Sequence, residues 1–315
     1  MTRRALFRAH GIVALLCSLG SAPTASAQER AADAANDAGS DVVVVVGADI
    51  KERRARANAY VRATGIARSQ PAARWSVPIC PKVSGVGPET TAVVLSRIRA
   101  LAGQVGAPLA TGTCTPNAIV TFTDNGAAVA SRVAARAPHQ FKDVPMVWRR
   151  ALLQGDAPIR WWHIIKTGDA DGVPPVGMQP SFVQIGGGAG GQGLPMGSGG
   201  VQMRYKEGMI SSQSSRTIIG ASVVIDVKRA GTRRDLDALG DYAALVALAE
   251  FRPSTPPPSD SILGLFDEDH PAESATPSDV ALLKQIYAIP LDREPRAHRR
   301  MLANALLTAQ SHPPR

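Results

Sequence analysis

Histidine, aspartate and tyrosine side chains are the groups in this chain that could hold a metal ion or move a proton. Beyond residue 27 the sequence carries five histidines, and none has a second histidine four residues later. No helix therefore presents the paired zinc ligands of a metallopeptidase. A metal-dependent hydrolase would have to gather ligands from distant segments, for example His163, His270 and Asp241. Local motifs predict no catalytic residue, no metal site and no cofactor.

Each of these side chains also has a structural interpretation. His163 lies in an apolar strand, where a core or edge histidine is expected. Asp241 and Tyr242 lie in an apolar helix, where they would line a vestigial cleft or, for Tyr242, be buried with the hydroxyl hydrogen-bonded. His270 ends the acidic run 267–269, which is typical of a solvated loop. We interpret His163, Asp241, Tyr242 and His270 as remnants of a cleft at most.

The cysteines predict one disulfide. Cys17 falls within the first 27 residues, which leaves Cys80 and Cys114 as an even pair. The two residues lack the C-x-x-C spacing of redox or metal pairs. Outside the cytoplasm such a pair oxidises, and the bridge would close a loop of about 35 residues, stabilising the fold by roughly 3 to 4 kcal/mol.

The first 27 residues have the order of a cleavable signal peptide. Three arginines come first, the apolar stretch Gly11–Leu19 follows, and Ala25-Ser26-Ala27 offers the small side chains that a signal peptidase needs. The apolar stretch is about half as long as a membrane-spanning helix. We predict cleavage between Ala27 and Gln28, a periplasmic or secreted location, and no transmembrane segment after signal removal.

The charge balance favours protein over nucleic acid as the partner. The chain carries a net +9, and loss of the three signal arginines leaves +6. These charges are scattered along the sequence, and only 4% of the residues are aromatic, whereas nucleic-acid binding usually needs a basic patch. We predict no nucleic-acid partner, and an unknown protein or peptide of the cell envelope as the partner.

Apolar periodicity predicts a mixture of strands and helices. Residues 74–81 contain two prolines and suit an edge strand or an extended loop. Capping boxes at Thr232–Asp235 and Thr276–Asp279 predict two helix starts. The predicted strands cover residues 41–47, 117–124, 159–166 and 217–227, and the predicted helices cover 51–64, 88–105, 127–137, 144–154, 232–251, 280–288 and 295–309.

These elements predict an α+β fold with a small mixed sheet flanked by helices. Residues 28–40 suit a disordered leader, and residues 168–200, rich in glycine, suit a long loop or linker. The disulfide-containing part, 41–167, and the C-terminal strand–helix part, 201–315, are expected to form one composite domain.

Two resemblances follow from the motifs. The chain resembles a group of uncharacterised exported proteins of Gram-negative bacteria in Arg74-Trp75, Pro78-Ile79-Cys80-Pro81, Arg97-Ile98-Arg99-Ala100 and Cys114-Thr115-Pro116-Asn117. Segments 261–263 and 276–287 resemble a secreted family of zincin-like metallopeptidases, which implies a zincin-like fold. The HExxH motif of that family would lie on the helix after strand 217–227, and that helix has no histidine. A zincin-like fold here would be degenerate, without its zinc ligands.

The sequence therefore predicts a non-catalytic binding or scaffolding protein of the cell envelope. A cleft kept from a peptidase-like ancestor would hold an extended peptide by strand addition without cleaving it. The alternative is a metal-dependent, peptidase-like hydrolase with noncanonical ligands.

Overall fold

The computed structural model describes residues 49–169, 182–185, 192–195, 214–231, 235–253, 256–268 and 271–311. The chain divides into Met1–Lys51, of which residues 49–51 are described, and a second unit, Glu52–Arg315. The signal peptide with its Ala27–Gln28 cleavage site, the leader 28–40 and the strand 41–47 lie outside the described residues and stay predictions.

A mixed sheet is the centre of the second unit. Within the described residues β4 covers one edge of β7 along almost the whole length of β7. β1 and β3 therefore share the other edge of β7, and β2 pairs with β3. β4 is antiparallel to β7 and the other pairs are parallel. The strands are β1 (Arg74–Trp75), β2 (Pro81–Ser84), β3 (Ala118–Thr123), β4 (Ile159–Asp169), β5 (Phe182–Ile185), β6 (Gln192–Pro195) and β7 (Ser214–Asp226).

The predicted loop 168–200 contains strand segments at its start and within it. β4 continues to Asp169, three residues beyond the predicted end, and β7 starts three residues before Thr217. β5 and β6 pair with each other in a separate antiparallel ladder. The rest of the predicted loop lies outside the described residues.

Helices cover both faces of the sheet. α2 connects the parallel neighbours β2 and β3, as such a crossover requires. The helices are α1 (residues 49–64), α2 (Pro88–Val105), α3 (Gly126–Arg136), α4 (Met146–Gln154), α5 (Val227–Ala230), α6 (Leu236–Leu248), α7 (Pro277–Ala288) and α8 (Pro295–Ser311).

One of the two predicted capping boxes is confirmed. At the start of α7 the Thr276 side chain accepts from the Asp279 amide, and the Asp279 carboxylate accepts from the Thr276 amide. The prediction for α6 was wrong, because its N-cap is Asp235, whose side chain accepts from the amide of Asp237. Asp235, predicted to be the last residue of the box, is itself the cap, so the helix starts later than predicted.

The core has a large and a small part on opposite faces of the sheet. The large part joins α1, α2, α6, α7 and α8 to the sheet, and the small part joins α3 and α4 to Val224 and Trp162. Side chains of a strand alternate between faces, so Trp161 packs in the large part and Trp162 in the small one. The α+β prediction, a mixed sheet flanked by helices, is confirmed.

The predicted disulfide is present. Cys80 and Cys114 are bonded, with their Cα atoms 6.0 Å apart. Asn117 ties the same two segments together, because its Oδ1 accepts from the Cys80 amide at 2.8 Å and its Nδ2 donates to the Pro78 carbonyl at 3.0 Å. The bridge therefore joins the residue before β2 to the segment before β3. No described helix is long and apolar enough to cross a membrane.

His298 is a buried histidine that we expect to make folding sensitive to acid. Its side chain on α8 is fully buried, its Nδ1 accepts from the Ala72 amide at 3.0 Å, and its Nε2–H donates to the Pro290 carbonyl at 2.8 Å. Protonation of Nδ1 would break the bond to Ala72. Burial lowers the pKa of His298, as it does that of His163.

We expect the free energy of unfolding to fall as the pH drops below about 6.5. A folded-state pKa below the unfolded value means that the unfolded chain binds the proton first, so stability is full above the unfolded pKa and decreases below it, by up to about 1.4 kcal/mol per pH unit for each histidine. Urea unfolding across pH 5 to 8 measures this slope. His298→Gln should reduce it and His139→Gln, at an exposed position, should not; an unchanged slope in His298→Gln contradicts the assignment.

Candidate functional site

His163 lies on β4 and serves as a core residue. Its side chain is 5% exposed, and its Nε2 lies 2.8 Å from the carbonyl oxygen of Val246 on α6, to which it donates. Burial lowers the pKa of the imidazole, so the ring is neutral at neutral pH. The hydrogen bond ties the edge strand to the helix beneath it.

Asp241 is engaged in a structural ion pair. Arg97 of α2 donates to both of its carboxylate oxygens, from Nε at 2.6 Å and from Nη2, and the Ala275 amide donates to Oδ2 at 2.9 Å. The carboxylate is 3% exposed. Asp241 therefore links α6 to α2 and to the segment before α7.

The proposed metal ligands are only partly described. His270 lies outside the described residues, and in the described part of the chain no group of three histidine, cysteine, aspartate or glutamate side chains is close enough to hold a metal ion. His163 and Asp241 are each occupied by other partners.

The second edge of β4 has no strand partner among the described residues. This edge has two parts. Arg160, Trp161, Trp162 and His163 are buried, with 2 to 7% exposed, whereas Lys166 and Thr167 are exposed. A strand edge offers a row of amide and carbonyl groups to any further strand, and in the described part of the chain no strand pairs with the exposed part of β4.

A cation–π contact covers the buried part of the edge. The Arg252 guanidinium lies 4.5 Å from the ring centre of Trp148. Arg252 follows α6 on one face of the sheet and Trp148 belongs to α4 on the other, so the contact passes around the edge that β4 forms. The two residues and Trp161, Trp162 and His163 line a cavity of about 40 Å³.

Glu250 holds Arg252 in this position. Arg252 Nη2 lies 3.3 Å from Glu250 Oε1, and Arg216 of β7 donates to both Glu250 oxygens. Burial alone would raise the pKa of Glu250, but the hydrogen bonds and charge of Arg216 outweigh it and lower the pKa. The carboxylate therefore stays ionised between the two guanidinium groups.

A wider cleft begins at the Arg252–Trp148 contact and runs along the first residues of β4. It has a volume of about 600 Å³ and shares Trp161, Arg252 and Pro253 with the small cavity. Tyr242 of α6 lies in its wall between two other aromatic rings, 5.9 Å from Trp161 and 6.0 Å from Phe266, both edge to face. We call it the Tyr242 cleft.

The hydroxyl of Tyr242 makes no hydrogen bond to the described residues. The residue is 7% exposed, and burial raises the pKa of its phenol without any contribution from a hydrogen bond. Among the described side chains, the fully buried polar atom without a partner is Arg149 Nε, so the Tyr242 oxygen reaches the solvent of the cleft. Burial of Tyr242 agrees with the prediction, but the expected partner for its hydroxyl is missing.

A larger cavity, about 1040 Å³, lies between α1 and the residues before α7. The polar groups on the floor of this cavity already have hydrogen-bond partners. Tyr60 and Ser261 line it, and both donate to the buried carboxylate of Asp279, at 2.6 and 2.7 Å. The Tyr242 oxygen, in contrast, faces the solvent of its cleft without a hydrogen bond to the described residues, so we favour the Tyr242 cleft as the functional site.

Comparison of the chain with protein-family models, curated proteins and solved structures finds no match. The resemblances to exported proteins of Gram-negative bacteria and to zincin-like peptidases stay predictions.

Sequence reasoning found part of this site. It selected His163 and Tyr242, which the structure places along β4, and it also selected Asp241, which lies elsewhere. It missed Trp148 and Arg252. The available signal was a strand with two adjacent tryptophans, Trp161-Trp162, because an edge strand with large aromatic side chains on both faces needs a cover on both sides.

Proposed function

We propose that this protein is a non-catalytic binding protein of the cell envelope that binds an extended peptide along the free edge of β4. The observation that carries the proposal is the second edge of an 11-residue strand, which has no strand partner among the described residues. Strands average about five or six residues, and long open edges are normally blocked. The disulfide and the predicted signal peptide support a location outside the cytoplasm.

The geometry around β4 supports peptide binding by strand addition. A peptide paired with β4 would obtain affinity from main-chain hydrogen bonds, and its alternate side chains would point to the same face as Trp161 and His163. The Tyr242 cleft lies on that face. Lys166 on the exposed part of the edge carries the kind of charge that limits indiscriminate pairing between sheets.

The partners of the polar groups favour binding over catalysis. His163 and Asp241, the described members of the alternative metal site, are held by Val246 and Arg97. A general base or metal ligand needs a nitrogen or oxygen directed at the substrate. Near-stoichiometric zinc in protein purified without a histidine tag would favour the hydrolase instead.

The experiment is selection of peptides of about eight residues from a displayed library on the full mature chain, followed by affinity measurement on two matched variants. Lys166→Pro and Thr167→Pro each remove one amide from the exposed part of β4. Successive amides of a strand point to opposite edges, so one substitution breaks a hydrogen bond to β7 and the other removes a donor from the free edge.

We expect the two proline variants to differ. The variant that removes an amide bonded to β7 should lose thermal stability. The variant that removes an amide on the second edge of β4 should keep its stability but bind the selected peptide roughly tenfold more weakly or worse. If the stable variant binds as tightly as the wild type, peptides do not pair with β4.

A further inference from the structure

The helices α3 and α4 form a basic surface where α3 ends and α4 begins. Residues 131–150 carry exposed cations in the second half of α3, in the connecting segment and in the first two turns of α4. The acidic residue of this stretch is Asp143. The exposed cations are Arg132, Arg136, Lys142 and Arg150.

These four cations make no ion pair with the described residues. The opposite end of the same two helices differs. Asp124 lies before α3 and Asp156 lies after α4, and they pair with Lys228 at 3.2 Å and with Arg229 at 2.6 Å. Opposite charges are therefore matched at one end of the helix pair, whereas the basic end offers its charge to a partner.

Two large apolar side chains lie among these cations. Met146 is 76% exposed and Val147 is 82% exposed, and they are the first two residues of α4. Residues three or four positions apart share a helix face, so both lie beside Arg150. We call these six side chains the α3–α4 patch: Arg132, Arg136, Lys142, Met146, Val147 and Arg150.

The backbone that carries the α3–α4 patch is fixed to the sheet. The Phe141 ring stacks on Trp162 of β4, with ring centres 4.8 Å apart, and the Trp162 indole donates to Gln140 Oε1 at 3.1 Å. The Arg149 guanidinium donates to the Phe141 carbonyl. The connecting segment is therefore held in place before any partner binds, which lowers the entropy cost of docking.

We infer that the α3–α4 patch docks the protein on an anionic lipid surface, with Met146 and Val147 entering the headgroup region. Cations attract anionic headgroups, and exposed apolar side chains gain free energy by leaving water at the same surface. A single-stranded nucleic acid would instead need exposed aromatic rings for base stacking, and Trp148 is half-buried against Arg252. This inference goes beyond the proposed function, because it involves neither the second edge of β4 nor a peptide.

Vesicle flotation with the full mature chain tests the inference. The vesicles contain equal parts of phosphatidylglycerol and phosphatidylcholine, or phosphatidylcholine alone. Arg136→Gln/Arg150→Gln removes two cations of the α3–α4 patch. The matched control, Arg54→Gln/Arg99→Gln, removes two exposed cations from α1 and α2, which pack in the large part of the core on the other face of the sheet.

A third variant, Met146→Ser/Val147→Ser, removes the apolar side chains and keeps every charge. All substituted side chains are exposed, so urea unfolding should give the wild-type midpoint for each variant. This measurement ensures that a loss of lipid affinity reports on the surface and not on folding.

We expect the wild type to bind the phosphatidylglycerol vesicles and not the vesicles of phosphatidylcholine alone. Each cation near an anionic surface contributes about fivefold in affinity, so Arg136→Gln/Arg150→Gln should bind roughly 30-fold more weakly. Arg54→Gln/Arg99→Gln should change the affinity less than about threefold, because screening limits the reach of distant charges. Met146→Ser/Val147→Ser should bind roughly tenfold more weakly.

Three results would overturn the inference. The first is equal binding of the wild type to both kinds of vesicle, or binding to neither. The second is an equal loss of affinity in the two arginine variants. The third is a single-stranded oligonucleotide that binds through Arg136 and Arg150 while the vesicles stay unbound, because the α3–α4 patch would then bind nucleic acid.

Discussion

Replacing Asp279 with alanine is expected to lower the free energy of unfolding by about 3 to 5 kcal/mol, the largest effect of any single substitution considered for this chain. The carboxylate is fully buried and accepts from the Tyr60 hydroxyl at 2.6 Å, the Ser261 hydroxyl at 2.7 Å, and the amides of Ile262 and Thr276 at 2.8 and 3.0 Å. Alanine would leave four donors without their acceptor. Each unsatisfied buried donor costs about 1 to 3 kcal/mol, and the costs are not additive.

Two matched variants test the assignment of this cost. Tyr60→Phe removes a single donor and should cost about 1 kcal/mol. Glu273→Ala, at an exposed position, should change little. Urea unfolding monitored by tryptophan fluorescence measures all three. An Asp279→Ala protein that unfolds at the wild-type urea concentration would show that the buried network does not stabilise the fold.

Removing the disulfide is expected to lower the free energy of unfolding by about 3 to 4 kcal/mol. Cys80 and Cys114 are separated by 34 positions, and the bridge restricts the unfolded chain around α2. The hydrogen bonds of Asn117 to Cys80 and Pro78 hold the two segments in place without it. The double variant Cys80→Ala/Cys114→Ala should therefore fold, at reduced stability.

Reductant supplies the control for the disulfide. The wild type in dithiothreitol should reproduce the unfolding midpoint of the double variant, and the double variant should not respond to dithiothreitol. Cys17→Ser should leave the mature protein unchanged, because the predicted signal peptide carries that residue away. Equal midpoints for the oxidised wild type and the double variant would contradict the predicted stabilisation.

The Asp279 network illustrates what local sequence could predict. Thr276 and Asp279 are three residues apart, so the spacing alone predicted their capping box correctly. The same carboxylate also accepts from Tyr60, which is 219 positions away in the sequence. No local pattern contains that contact, because it depends on how α1 packs against α7.

The same limit applies to the candidate site. The sequence predicted a strand at residues 159–166, but its edge position among the described strands depends on pairing with β7, whose start lies 45 residues after the end of β4. Apolar surroundings predicted the burial of Tyr242. Its missing partner could not be predicted, since the neighbours that three-dimensional packing brings to it, Trp161 and Phe266, present ring carbons.

The central claim, that an extended peptide pairs with β4, is tested most directly by amide hydrogen exchange on the full mature chain with and without a selected peptide. We expect slower exchange at the outward-facing amides of Ile164–Asp169 in the complex, because these amides would donate to the peptide backbone. Unchanged exchange throughout β4, with protection appearing on a different element, would contradict it.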